Sequence, residues 1–358
     1  MINKKIALLQ PEVPHYRDEF FSLLRRQCEC MDIYIYNSMD SAKKSGFYVH
    51  TNNLIPISNE SVHGFLWYNP KIMLRKKYDT LVLMLHFAHL TTWLLLLTKF
   101  IHRKKIILYG QGISVKRYIR EEKHPDWKLK WMIALADGIW VYMPKEERQW
   151  KAIFPKKKIV ALNNTVTGMG DILKYHPDCD ICFLKSKYNI REECVLMFCA
   201  RFTSPHRRVD LLLETIQQLD AKRFGFIIIG DGINKPDFSR YKNVHDFGAV
   251  YDVNIKRELF TLADIYFQPG WVGLSIVEAM GYGLPVFTFK RSEHTLQCVE
   301  YSYIVNGENG MLFESMKQCI EILTDISHEE LVCMGNNAKQ LAKTLLPENM
   351  VEKACSVI

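Results

Sequence analysis

One rhythm limits what this chain can fold into. Short apolar runs of strand length alternate with helical patterns, and the alternation runs through the chain twice. In the first half the apolar runs are residues 5–9, 32–36, 80–85, 105–109, 138–142 and 158–162, with an amphipathic helix over 18–26 after the first run. Strands that alternate with helices predict a doubly wound parallel sheet. Periodicity fades over 163–188, where Gly168, Gly170 and Pro177 fall among polar residues, and this stretch reads as an interdomain linker. The rhythm then restarts. Strands are predicted at 194–199, 224–229, 244–247, 264–268 and 285–289, and helices at 209–218, 255–262 and 274–281, with two helices closing the chain.

The expected fold class is α/β, with two Rossmann-like doubly wound domains facing a central cleft. The predicted boundaries are 1–165 for the first domain, 166–190 for the linker, 191–335 for the second domain, and 336–358 for a C-terminal helix packing back on the first. A chain of 358 residues supports two cores of ordinary size. Ligands of such sheets bind outside the carboxyl ends of the strands.

Charge is unevenly divided. Residues 1–170 hold 27 Lys and Arg against 14 Asp and Glu, a balance of +13, whereas residues 171–358 hold 20 against 25, a balance of −5. Basic clusters at Lys43-Lys44, Arg75-Lys76-Lys77, Arg103-Lys104-Lys105 and Lys156-Lys157-Lys158 suit an anionic membrane surface or a polyanionic substrate. No nucleic-acid-reading motif accompanies them, so nucleic acid is not expected as a partner. The apolar stretch 80–98 is interrupted by His86, His89 and a Thr-Thr pair, and reads as a buried strand, a loop and a helix over 92–100 rather than a membrane span. The first residues are too short in their apolar part for a secretory leader. Ten scattered cysteines, with the lone Cys-x-x-Cys of Cys179 and Cys182, suit a reducing cytosol and predict neither disulfides nor a metal site. The expected location is cytoplasmic, peripheral on the inner face of a membrane.

The chemistry concentrates between residues 198 and 289. After the strand ending at Gln268, a glycine-bearing turn through Gly270 and Gly273 leads into a helix starting near Leu274 or Ser275. The free N–H groups there suit a diphosphate, Gly273 permits close approach, and Ser275 is a candidate cap. Glu278 falls one turn further on, three and four residues from Ser275 and Leu274, where its carboxylate can accept from a ribose diol. Arg201 and Arg207, with Arg208 adjacent, stand at another strand-to-helix junction and can grip phosphate oxygens.

These segments resemble the nucleotide-binding signature of GT-B glycosyltransferases of family 4. In that family two glutamates eight positions apart flank a Gly-Leu and precede Glu-Ala-Met-x-x-Gly-x-Pro-Val. Glu278, Ala279, Met280, Gly283, Pro285 and Val286 match, and Gly270 stands where the first glutamate would be. Arg201 matches the family's arginine, and Arg207 takes the place of its lysine. Further matches are Gly230 within Ile-Gly-Asp-Gly, and Val250 and Tyr251, which fall where the family supports the base.

The resemblance implies a transferase moving a sugar, UDP-linked by expectation, to a glycan or lipid-linked glycan acceptor. It implies retention of anomeric configuration and no metal or cofactor, the nucleotide sugar being a substrate. Acceptor-side candidates in the first half are Gln10, His15, Tyr16, Arg17, His86 as a base, His89, and Gln111 between two glycines. Two other readings compete: a nucleotide-sugar epimerase, which needs carboxylates for proton abstraction, and a non-enzymatic polyanion-binding protein.

Overall fold

The computed structural model describes residues 2–38 and 53–358, so Lys43-Lys44 lies outside the described residues. The chain divides into two units, residues 1–167 with 345–358, and residues 168–344.

The first unit holds β1 (Ile2–Gln10), β2 (Cys28–Ile35), β3 (Leu54–Pro56), β6 (Thr80–Met84), β7 (Lys105–Gly110), β8 (Gly138–Val141) and β9 (Lys158–Ala161) in one sheet of order β3-β2-β1-β6-β7-β8-β9, every pair parallel. Helices cover both faces, so Ile6, Leu8, Val82, Ile107 and Trp140 pack on one side and Ala7, Leu9, Leu81, Leu83 and Ile139 on the other. Burial on both faces explains why these strands read as unbroken apolar runs. The helix Pro347–Cys355 lies in this unit, with Met350, Val351 and Ala354 buried beside Phe20, Phe21 and Leu24 of the helix Asp18–Gln27.

The second unit holds β10 (Cys194–Cys199), β11 (Phe224–Ile229), β12 (Val244–Asp246), β13 (Ile265–Phe267), β14 (Val286–Phe289) and β15 (Gly310–Phe313) in the order β12-β11-β10-β13-β14-β15, again parallel. The order reverses at β10 and β13. In open parallel sheets a ligand crevice lies at such a switch point, outside the carboxyl ends of the strands.

The structure departs from expectation at several elements. The antiparallel hairpin β4 (Asn59–Val62) and β5 (Phe65–Tyr68) and the edge strand β15 are additional. The linker stretch contains the short helices Met169–Lys174 and Ile181–Lys187, each too brief for a 3.6-residue period to show. Three helices close the chain instead of two: Met316–Asp325, His328–Lys343 and Pro347–Cys355. The helix expected over 92–100 starts at Leu90, and Thr98 ends it by donating its hydroxyl to Leu94 O at 2.7 Å before the short turn Lys99–His102. Among the described residues no helix is long and apolar enough to cross a membrane. All ten cysteines are free.

Candidate nucleotide-sugar site

The site is built from the loops after β10, β11 and β13. Beyond β10 the chain makes a 3-10 turn, Pro205–Arg207, started by Ser204 Oγ accepting from the His206 amide at 3.3 Å. Arg208 closes it in the left-handed region at φ 52° and starts the helix Val209–Gln218. The two adjacent arginines then diverge. Arg208 is committed to the scaffold: Nε donates to Asp210 Oδ1 at 3.0 Å, Nη2 to Asp210 Oδ2 at 2.6 Å, and Nη1 to Thr295 Oγ1 at 2.7 Å. Arg207 instead donates from Nη1 to the Trp271 carbonyl at 2.7 Å. Burial pulls its pKa below the usual arginine value, and the nearby Arg201 guanidinium pulls in the same direction. Two cations crowded at a strand end favour an anion between them.

Gln268, fully buried after β13, organises the second loop. Its Nε2 donates to the carbonyls of Gly270 at 3.1 Å and Trp271 at 2.7 Å. Its Oε1 accepts from Ser275 Oγ at 3.2 Å and lies 3.0 Å from the Tyr266 hydroxyl. The chain turns sharply here, with Trp271 at φ 50° and its ring stacked on His206 at 5.0 Å. Gly270 has no room for a side chain, because a Cβ would sit 2.5 Å from the His206 carbonyl and 2.7 Å from Arg208 Cγ. A glutamate cannot occupy this position with the Pro205–Arg207 turn where it is, which accounts physically for the departure at Gly270. Gly273 is the opposite case. Nothing lies within 4 Å of the place its Cβ would take, so protein packing does not demand a glycine there.

One expectation is corrected. Ser275 does not cap the helix Ser275–Gly281; the N-cap is Leu274, without a side-chain cap bond, and the Ser275 hydroxyl is spent on Gln268. The amides of Ile276 and Val277 are already met by the Gly273 and Leu274 carbonyls. Those of Gly273, Leu274 and Ser275 precede the first helical turn and have no i−4 carbonyl within the helix.

Glu278, one turn into this helix, is not a solvated surface residue. Its side chain is 18% exposed, and Oε2 pairs with Lys256 Nζ at 2.7 Å. Burial works to neutralise Lys256, but the Glu278 carboxylate overrides it and holds the lysine pKa above its ordinary value. Lys256 comes from the helix Val253–Leu262, started by Asp252 accepting from the Asn254 and Ile255 amides at 2.8 and 3.0 Å. Arg207 and Glu278 both act electrostatically on the buried Tyr266 hydroxyl of β13 and the Cys199 thiol of β10. Burial pushes the Cys199 thiol up to about 11, so it stays protonated.

Gly230 follows β11 at φ 139°, and a Cβ there would collide with the Ala200 carbonyl. The loops after β10 and β11 are thus pressed together backbone to backbone, joined by Phe202 N donating to Asp231 O at 2.9 Å. Val250 is half-buried, and Tyr251 is 75% exposed on the loop ahead of Asp252. Sequence reasoning passed over Gln268, Trp271 and Lys256. The Gln-Pro pair at a strand end was a usable signal for the first, but no spacing links Lys256 to Glu278.

In the first unit Arg17 is buried among tyrosines. It donates to Tyr109 Oη at 2.5 Å and to Asn164 Oδ1 at 3.1 Å, and lies 4.7 Å from the Tyr142 ring centroid. Gln10 is buried and folds back on Leu9 O. His15 and Tyr16 stack edge to face at 5.6 Å. His86 lies parallel to Phe87 with its ring 5.1 Å from that of His89, and loss of hydration lowers its pKa. His89 is buried, with its pKa lowered to about 4 by burial and then by His86. Gln111 is half-buried between Gly110 and Gly112.

Residues 193–345 match the family of glycosyl transferases group 1. No curated protein sequence matches the chain significantly. Among solved structures, HepE of Anabaena in complex with UDP superposes with a TM-score of 0.67 at 14% identity, covering 98% of each chain. Sucrose-phosphate synthase of Thermosynechococcus elongatus gives a TM-score of 0.64 at 14% identity over 99% of this chain and 98% of its own, and TarM gives 0.65 at 12% identity over 100% of this chain and 99% of its own. The chain therefore has the GT-B fold, built of two Rossmann-like domains, and its residues 193–345 match the model of glycosyl transferases group 1.

Proposed function

We propose that this chain transfers a sugar from a nucleotide-sugar donor, a UDP-sugar, to a glycan or lipid-linked glycan acceptor held by the first unit, as a step in cell-surface polysaccharide or lipopolysaccharide synthesis. The observation that carries the reading is that Arg207, with Arg201 acting on it, and the Lys256-anchored Glu278 carboxylate both act on the buried Tyr266 and Cys199 of adjacent strands β13 and β10. As the glycosidic bond to the leaving diphosphate breaks, negative charge grows on the diphosphate. The two guanidiniums and the amides of Gly273, Leu274 and Ser275 stabilise that charge without a metal. Glu278 takes the ribose diol, and Tyr251 and Val250 support the base. HepE has been solved with UDP and with UDP-glucose, which favours a UDP donor here.

The likeness to family 4 supports retention of configuration. The +13 balance of residues 1–170 supports reversible attachment to an anionic membrane surface on its cytoplasmic face. Incubation with a panel of UDP-sugars tests the reading. A transferase releases UDP slowly by hydrolysis in the absence of acceptor, and stereochemistry at the transferred carbon is read by NMR. Formation of a new UDP-sugar would show an epimerase instead, and no turnover together with no UDP binding would sink the proposal.

A further inference from the structure

Helix Leu90–Leu97 buries Thr91 and Thr92 together with Leu95 and Leu96, and leaves Leu90, Leu94 and Leu97 exposed, Leu97 at 58%. The threonines take inward positions because Thr91 Oγ1 donates to Tyr68 O at 2.7 Å and accepts from Tyr68 N at 2.9 Å, tying the β4–β5 hairpin to the helix. The turn that follows exposes Phe100 at 78% and Ile101 at 66%. Helix Trp127–Leu135 packs against Leu90–Leu97 and holds Trp127 and Trp131 outward, 66% and 61% exposed and one turn apart. Adjoining elements of one unit therefore present large apolar side chains on their outer faces, well beyond the scattered exposure ordinary for a surface.

The surroundings of these side chains are cationic. Residues 99–131 contain ten Lys and Arg against three acidic residues, and Arg103, Lys116, Arg120, Lys123 and Lys130 are exposed. Lys128 Nζ lies 5.8 Å from the Trp127 ring centroid, and exposed tryptophans in so basic a stretch match a bilayer boundary, where indole rings sit at headgroup depth and cations meet lipid phosphates. We infer that this face inserts into the headgroup–acyl boundary of an anionic membrane, with Phe100, Ile101, Trp127 and Trp131 as the inserted wedge. The inference rests on the membrane attachment proposed above and adds an apolar component to it; the donor chemistry is independent of both.

Vesicles of phosphatidylcholine with 30% phosphatidylglycerol, with and without bromine on the acyl chains, test the insertion. The wild-type protein should float with the vesicles at low and high salt, and its tryptophan fluorescence should be quenched by the brominated lipid. The double variant Trp127→Ser/Trp131→Ser should bind about tenfold or more weakly. It should lose most of the quenching and retain only salt-sensitive binding, with UDP affinity unchanged as evidence of an intact fold. Wild-type binding that high salt abolishes, without quenching, would overturn insertion while preserving electrostatic attachment. Absence of flotation would overturn both. Self-association of the wild type in sedimentation, lost in the double variant and unaccompanied by quenching, would assign the face to a second copy and overturn the inference as well.

Discussion

Adjacent arginines of identical chemistry have different work because one is answered by a carboxylate and the other is not. Arg208 is neutralised by Asp210, whereas Arg207 is held by a carbonyl and sits within reach of Arg201's field. An anion arriving there relieves repulsion and forms charge-assisted hydrogen bonds. Arg201→Ala and Arg207→Ala should each cost about 1.5–3 kcal/mol of UDP binding in calorimetry, while Arg208→Ala should act first on stability. Unchanged UDP affinity in both of the first two variants would remove the diphosphate assignment. The Lys256–Glu278 pair makes a separate claim. Lys256 anchors one carboxylate oxygen, and on the proposed reading the other meets the ribose, so Glu278→Gln and Lys256→Met should both weaken UDP more than they weaken pyrophosphate. Equal losses for the two ligands would take Glu278 away from the ribose. These roles were unequally legible in the sequence. Glu278 and Arg201 sit inside local patterns, but the choice between Arg207 and Arg208 depends on a left-handed residue at 208, and Lys256 reaches the site from a helix 22 positions upstream.

At the scale of elements, the strands buried on both faces were readable because continuous apolar runs have few other uses. Of the strands that escaped, β3 has only three residues and β5, Phe-Leu-Trp-Tyr, only four. All four residues of β4 are exposed, and β15 begins at Gly310, inside a stretch whose glycines and asparagines read as turn. That glycine is needed because a Cβ would collide with the Val286 carbonyl of the neighbouring strand. The same close packing of backbones gives the site its shape. Gly270→Ala would push its Cβ into the His206 carbonyl and force the Pro205–Arg207 turn to move, taking Arg207 with it. A loss of about 1–3 kcal/mol in stability is expected from overpacking, together with weaker UDP binding. Gly273→Ala has space around it and should leave the melting temperature nearly unchanged while weakening the nucleotide. If both variants lost stability alike and bound UDP normally, the open space at Gly273 would not belong to a ligand.

Over the whole molecule the chain leaves the first unit at residue 167 and returns to it at residue 345, so the last residues complete a core begun by the first. Helix Pro347–Cys355 buries Met350, Val351 and Ala354 against Phe20, Phe21 and Leu24, and Val357 packs against Gly138 of β8 so closely that a Cβ there would clash. Each fully buried Val or Met is worth about 1.5–3 kcal/mol relative to exposure, and three of them together approach the roughly 5–15 kcal/mol by which a domain is stable at all. Truncation after Thr344 should therefore unfold the first unit or lower its melting point by tens of degrees. The second unit, whose core clusters around Phe198, Phe226, Phe267 and Phe287, draws nothing from those residues and should still fold. Limited proteolysis of the truncated chain checks this directly. The expected outcome is rapid cleavage within residues 1–167 and a protected fragment spanning 168–344 that still binds UDP. A truncated chain that melts and resists protease like the full one would mean that the returning helix contributes little to the core it joins.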